Sequence, residues 1–110
     1  MTIYRQDLER VYALIEREEG WTQHTAATNK SGKEVGARQK SAKCFCLLGA
    51  VWNAVPGDMD ELREEMEALA NTPDVALFND SHTHAEVLQL LKDAIERAPV
   101  RPADDRARVV

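Results

Sequence analysis

One stretch of this chain constrains its folding more than any other. Cys44-Phe45-Cys46-Leu47-Leu48-Gly49-Ala50-Val51-Trp52 carries no charged residue from end to end. Wound as a helix, such a segment is apolar on every side and has to be buried all round rather than lie on a surface. A chain of 110 residues has room for one core of that kind but not two. Residues 41–55 are therefore expected to form a central helix, closed by Pro56-Gly57, with the other elements packed around it. Gly49 and Ala50 mark the place where a neighbouring backbone approaches closely.

The surrounding elements follow from periodicity. Leu8, Val11, Tyr12 and Ile15 recur at helical spacing, so residues 7–19 read as an amphipathic helix with Gly20 as its stop and Trp21 folding back on the core. Residues 22–40 show no period. They are rich in Thr, Asn, Ser, Gly and Lys, with a turn signal at Asn29-Lys30-Ser31-Gly32 that fits a short irregular hairpin. A polar loop of this length inside a small domain is usually functional or disordered. Asp58 or Asp60 caps a third helix to about Ala70, with Met59, Leu62, Met66 and Leu69 on its inner face. Residues 74–78 read as a short extended segment. Thr83-His84-Ala85-Glu86 is a capping box opening a last helix whose buried stripe is Val87, Leu88, Leu91, Ala94 and Ile95. The expected fold is mostly α: a compact bundle of about four helices in a single domain, residues 1–98. A disordered, Pro- and charge-rich tail is expected over residues 99–110.

Composition excludes several function classes. Hydrophobic residues make up 44% and charged residues 30%, as in an ordinary globular domain. A formal charge of −5 argues against general nucleic-acid binding, which draws on clustered Lys and Arg. One local basic run opposes that acidity: Lys30, Lys33, Arg38, Lys40 and Lys43, against Glu34 alone. Nothing in the sequence nears the roughly 20 apolar residues of a membrane span. The first residues lack a signal-peptide core, so a cytoplasmic location is expected, with the two cysteines as reduced thiols.

Trp21, Gly32, Cys46-Leu47-Leu48-Gly49-Ala50, Phe78-Asn79-Asp80 and Glu86-Val87-Leu88 together form a pattern over most of the chain except the tail. In that pattern the chain resembles a family of uncharacterised bacterial and phage proteins. It departs from the family at Phe78, where many relatives have Trp, and at Ser81-His82, where a Pro-Gly or similar turn is usual. The resemblance implies a small, mostly helical domain and a phage or prophage origin. It brings no established activity.

The residues that carry chemistry are few. Asp80, His82 and His84, with Cys44 and Cys46, are of zinc-binding types, yet no familiar ligand spacing is present. Cys-x-Cys in a helix points its sulfurs about 200° apart, whereas His82 and His84 share a face only if extended. Cys46 with a nearby His is the minimal nucleophile–base pair, but a thiol in the middle of a buried helix is poorly accessible and hard to ionise. Asn79-Asp80 either shapes the turn into the last helix or uses that helix start as an anion site. Asp80 repels an anion there unless it takes a ribose hydroxyl or a basic side chain. Trp21, Gln23, His24 and the basic loop offer an aromatic wall with cationic donors, a combination suited to a nucleotide-like ligand.

The sequence thus leads to a non-enzymatic binding protein, with no catalytic residues and no cofactor expected. Its ligand is expected to be small, anionic and nucleotide-like, or else a host protein. The expected binding residues are Trp21, Gln23, His24, Lys33, Arg38, Asn79, Asp80 and Thr83. The alternatives are a small metal-dependent hydrolase using Asp80, His82 and His84, and a homodimer packed through an exposed stripe of the third helix that includes Met59 and Met66.

Overall fold

The computed structural model describes residues 2–102. Their order is α1 (Arg5–Ile15), a single 3-10 turn (Glu18–Gly20), β1 (Ala27–Thr28), β2 (Cys44–Phe45), α2 (Leu47–Ala54), α3 (Met59–Ala70), α4 (Val75–Ser81) and α5 (His84–Arg97). The architecture is mostly helical, as the periodicity predicts, but with five α-helices rather than four among the described residues.

Two segments account for the difference. The apolar stretch expected as one long helix is split at Cys46. Cys44 and Phe45 run extended and pair antiparallel with Thr28 and Ala27, respectively. Phe45 also accepts a hydrogen bond at its carbonyl from the amide of Thr22 (3.0 Å). Helix α2 starts only at Leu47, with Cys46 as its N-cap in an extended conformation. Apolarity alone does not separate a buried strand from a buried helix, and here one stretch supplies both. The second segment is residues 74–78, which after the extended Asp74 are helical. The Asp74 carboxylate accepts from the amide of Leu77 (3.0 Å) and caps the seven-residue α4, too short to show a period.

Helix α2 is the axis of the fold, resting on α1, α3 and α4, while α5 closes against α1 and α3. Leu8, Val11 and Ile15 of α1, Leu47, Leu48, Ala50 and Val51 of α2, Leu62 and Met66 of α3, and Val87, Leu91 and Ala94 of α5 form the core. Burial of Met66 removes the exposed methionine stripe on which a dimer through α3 was to rest; Met59 alone is exposed there. Residues 99–102, assigned from the sequence to a disordered tail, are tied to α1. The Pro99 carbonyl accepts from the amide of Arg5 (2.8 Å), and Arg101 pairs with the buried Asp7 (2.7 Å). The rest of that expectation lies outside the described residues.

The loop between α1 and α2 is built rather than loose. The Asn29 side-chain oxygen accepts from the amides of Ser31 and Lys33 (both 2.9 Å), closing a tight turn with Gly32 at φ +84°. Thr28 and Glu34 bridge across it. Arg38 then clamps the far end of α2. Its guanidinium donates to the carbonyls of Trp52 (2.7 Å), Val55 (3.1 Å) and Gly57 (2.8 Å), satisfying groups that a helix C-terminus leaves open.

At the other end the loop backbone lies directly on α2. A Cβ placed on Gly49 would fall 1.9 Å from the carbonyl oxygen of Ala26. That same carbonyl accepts from the amide of Cys46 (3.1 Å), so the segment cannot back away without losing a bond. Gly49→Ala is therefore expected to destabilise the fold by about 3 kcal/mol or more, although alanine is the better helix former. Urea unfolding of the variant beside Ala85→Gly, an exposed change on α5, checks this. The α5 variant should lose only about 1 kcal/mol.

Candidate functional site

The polar centre of the molecule is Asn79, fully buried on α4. Its amide oxygen accepts from the indole N–H of Trp21 (2.7 Å) and from the backbone N–H of Leu47 (3.0 Å). Its amide nitrogen donates to the carbonyl of Thr22 (3.1 Å) and to Asp80 Oδ1 (3.1 Å). Both protons and both lone pairs of the amide are thus used. The backbone carbonyl of Asn79 accepts from Gln23 Nε2 (3.0 Å), which also donates to the carbonyl of His82 (3.1 Å). One side chain therefore joins residues 21–22, the start of α2 and α4. The Leu47 amide is one of the orphan N–H groups of α2, and the Cys46 thiol takes another, accepting from Gly49 (3.2 Å).

Beside this network lies a cleft of about 230 Å³ whose wall includes His24, Thr25, Ala26, Cys46, Trp52, Arg63 and Asp80. A second, wider cleft of about 530 Å³ shares Thr25, Ala26 and Trp52 and continues to Glu34, Gln39 and Met59. His24 has φ +70°, in the left-handed region, and its amide is held there by Asp80 Oδ1 (2.8 Å). Asp80 Oδ1 thus receives two internal donors. Its Oδ2 lies 3.7 Å from His24 Nδ1, and among the described residues it has no hydrogen bond. Arg63 contributes less charge than its type suggests. Its guanidinium sits 3.3 Å from both Glu67 and Asp74, so two carboxylates offset it.

Cys46 is no activated nucleophile. Burial is the main cause that pushes its thiol above the ordinary 9.0, and the Asp80 carboxylate pushes the same way; the N–H groups of Gly49 and Leu48 pull it back only in part. The poor ionisation expected from the sequence holds, although the residue caps α2 rather than sitting within it.

The residues singled out in the sequence divide into two groups. Trp21, Gln23, His24, Asn79 and Asp80 come together, although Trp21, Gln23 and Asn79 spend their polar groups on one another and on nearby backbone. Lys33 is exposed at the hairpin, Arg38 is committed to the end of α2, and Thr83 caps α5 through Glu86 (3.2 Å). The start of α5 is closed to a ligand anion, because Glu86 occupies it. The Thr83 amide, then its hydroxyl, holds that carboxyl below its ordinary range. His82 stacks on Phe78 with ring centres 3.7 Å apart and bonds the Phe78 carbonyl through Nδ1 (2.9 Å). His84 reaches the Ile15 carbonyl through Nε2 (2.6 Å). These imidazoles serve backbone carbonyls, and no cluster of three or more metal-ligating side chains occurs among the described residues. Trp52 and Arg63 are cleft residues that sequence reading missed. Trp52 was absorbed into the apolar stretch, and Arg63 looked like one more solvated charge on α3.

Three outcomes follow. Asn79→Ala leaves the Trp21 and Leu47 N–H groups and the Thr22 carbonyl without partners, so urea unfolding should show a loss of about 3 kcal/mol or more. Asn79→Asp keeps the accepting oxygen but sets a carboxylate against the Thr22 carbonyl and Asp80 Oδ1, which favours the protonated form in the fold, so its deficit should shrink as pH falls toward about 4, where the unfolded chain takes up the same proton. For Cys46, the thiol's contribution to stability is complete below its ordinary 9.0 and is lost as pH rises through the higher folded value. The wild type should therefore lose stability in alkali more steeply than Cys46→Ser, measured by thermal unfolding across that range.

Residues 2–97 match the model of a family of unknown function (DUF6197), and the chain belongs to that family. No curated protein and no solved structure matches the chain.

Proposed function

We propose that this member of the family is a non-enzymatic binding protein that holds a small nucleotide-like ligand in the paired clefts beside Trp52. The observation that carries the reading is Asp80. Its Oδ1 is fixed by two internal donors, its Oδ2 has no hydrogen bond from any described residue, and the residue lines the cleft. A carboxylate oxygen kept free in a partly apolar cleft suits recognition of a ligand donor. The aromatic wall of Trp52 adds a flat surface of the kind on which bases stack. Because Arg63 is offset by Glu67 and Asp74, the uncharged part of such a ligand belongs in the cleft. An anionic part is better served by the exposed lysines of residues 30–43, Lys33 among them. The same reading keeps the protein in the cytoplasm. In a phage or prophage setting it fits a sponge for a host nucleotide.

A protein partner is the second reading, and its support is Leu77. This side chain is 63% exposed on α4, beside the Phe78–His82 stack.

Native mass spectrometry of the purified protein tests the first reading. The expected spectrum shows a stoichiometric adduct of nucleotide mass, lost in Ala76→Trp, which puts a bulky ring on the cleft wall and leaves the polar residues of the cleft unsubstituted. Unchanged circular dichroism in that variant establishes that the fold is intact. A purely apo spectrum, or an adduct that survives Ala76→Trp, overturns the assignment. Loss of a co-purifying protein in Leu77→Ser would favour the second reading instead.

A further inference from the structure

We infer that the His24–Asp80 end of the cleft is a receptor for a vicinal diol, so that the ligand is recognised through adjacent sugar hydroxyls. This inference rests on the small-ligand reading above and names the chemistry that the cleft selects.

The geometry is that of a pair held apart. Asp80 Oδ2 and His24 Nδ1 are 3.7 Å from one another, too far for a direct hydrogen bond, and neither has a hydrogen-bond partner among the described residues. Two hydroxyls on neighbouring carbons bridge such a gap. One donates to the carboxylate oxygen, which can only accept, and the other pairs with the imidazole nitrogen, which accepts when neutral in that tautomer and donates otherwise.

The carboxylate of this pair is also fixed before any ligand arrives. Asp80 Oδ1 takes the His24 amide (2.8 Å) and the Asn79 side-chain amide (3.1 Å), and Asn79 is itself locked by Trp21, Thr22 and Leu47. The His24 backbone is held in a left-handed conformation that brings its half of the site beside the carboxylate, while its ring, 75% exposed, stays open to a ligand. A carboxylate pre-set in this way lowers the ordering cost of binding.

The arrangement selects against other ligand groups. A guanidinium or a guanine edge that needs both carboxylate oxygens finds Oδ1 taken. A phosphate or carboxylate meets the charge of Asp80 with no uncompensated cation beside it, since Arg63 is offset twice. A single amine satisfies Asp80 but leaves His24 unused. A vicinal diol satisfies both, and Trp52 on the same cleft wall offers a face for a ring attached to the sugar.

Calorimetric titration with the four common ribonucleosides, their 2′-deoxy counterparts and free ribose tests this on the full chain. At least one ribonucleoside should bind about tenfold or more tightly than its deoxy counterpart, because a site built to bond a hydroxyl rejects the analogue that lacks it. Asp80→Asn keeps an oxygen for the His24 amide but can place N–H groups where Oδ2 stood, so the preference should disappear while the melting temperature stays near that of the wild type. His24→Asn, which tolerates the left-handed backbone, should reduce the preference too and serves alone if Asp80→Asn fails to fold. Ribose binding as tightly as a ribonucleoside supports the diol site and assigns it to a free sugar. Equal binding of ribo and deoxy forms overturns the inference and leaves the binding reading standing. If no probe binds at millimolar concentration the inference also falls. The binding reading then falls with it only if the native mass spectrum is apo as well.

Discussion

The amide of Asn79 is the interaction on which the rest of this structure depends. A buried side-chain amide is costly unless every donor and acceptor is met, and here the partners come from three parts of the chain. Trp21 and Thr22 belong to the segment after α1, Leu47 opens α2, and Asp80 follows on α4. Apolar packing alone would let α2 slide or rotate among its neighbours, since dispersion and burial carry no direction. The amide permits only one arrangement. It also explains why Trp21 lies where it does, with its indole N–H satisfied, and why the free end of Asp80 is presented to a cleft.

Much of this was legible in the chain, for reasons that differ from element to element. The stripes of α1, α3 and α5 were readable because each helix has one face on the core and one in water, so burial leaves a period. The capping box at Thr83 was readable because its chemistry is local, and so was the turn at Asn29. Gly49 announced a close approach, and the carbonyl of Ala26 meets it. What failed was non-local. No periodicity distinguishes β2 from α2 within an apolar run, because the split is imposed by Thr28 and Ala27, about seventeen residues earlier. Helix α4 was missed for want of length. Asn79-Asp80 was recognised as a polar feature near the central helix, but its partners could not be read from spacing. Arg38 illustrates the opposite error: a cation that looked free for a ligand caps a helix instead.

Internal commitments of this kind decide what is left for a ligand. Of the polar side chains gathered near α2 and α4, Trp21, Gln23 and Asn79 use their hydrogen-bonding groups within the fold, as Arg38 does at the far end of α2 and Glu86 at the start of α5. Asp80 is divided, with one oxygen structural and the other facing the cleft. A residue of that type is hard to classify from sequence, because the two oxygens of one carboxylate have different surroundings. The distinction also sets the sign of the cleft. Arg63 on its wall is offset by Glu67 and Asp74, whereas Asp80 Oδ2 is an acceptor with no hydrogen bond from any described residue.

The ties that hold α2 also bear on how the chain reaches this state. The Leu47 amide is held by a residue 32 positions later, and the Trp21 indole by one 58 positions later. Closing loops of such lengths costs entropy before any bond rewards it. Helix α2 has only eight residues, too few to persist alone in water, so it gains its shape when α4 and the 21–28 segment arrive together. The middle of the molecule is therefore the part least able to fold by itself, and the Leu47 amide should exchange with solvent deuterium only when the whole domain opens.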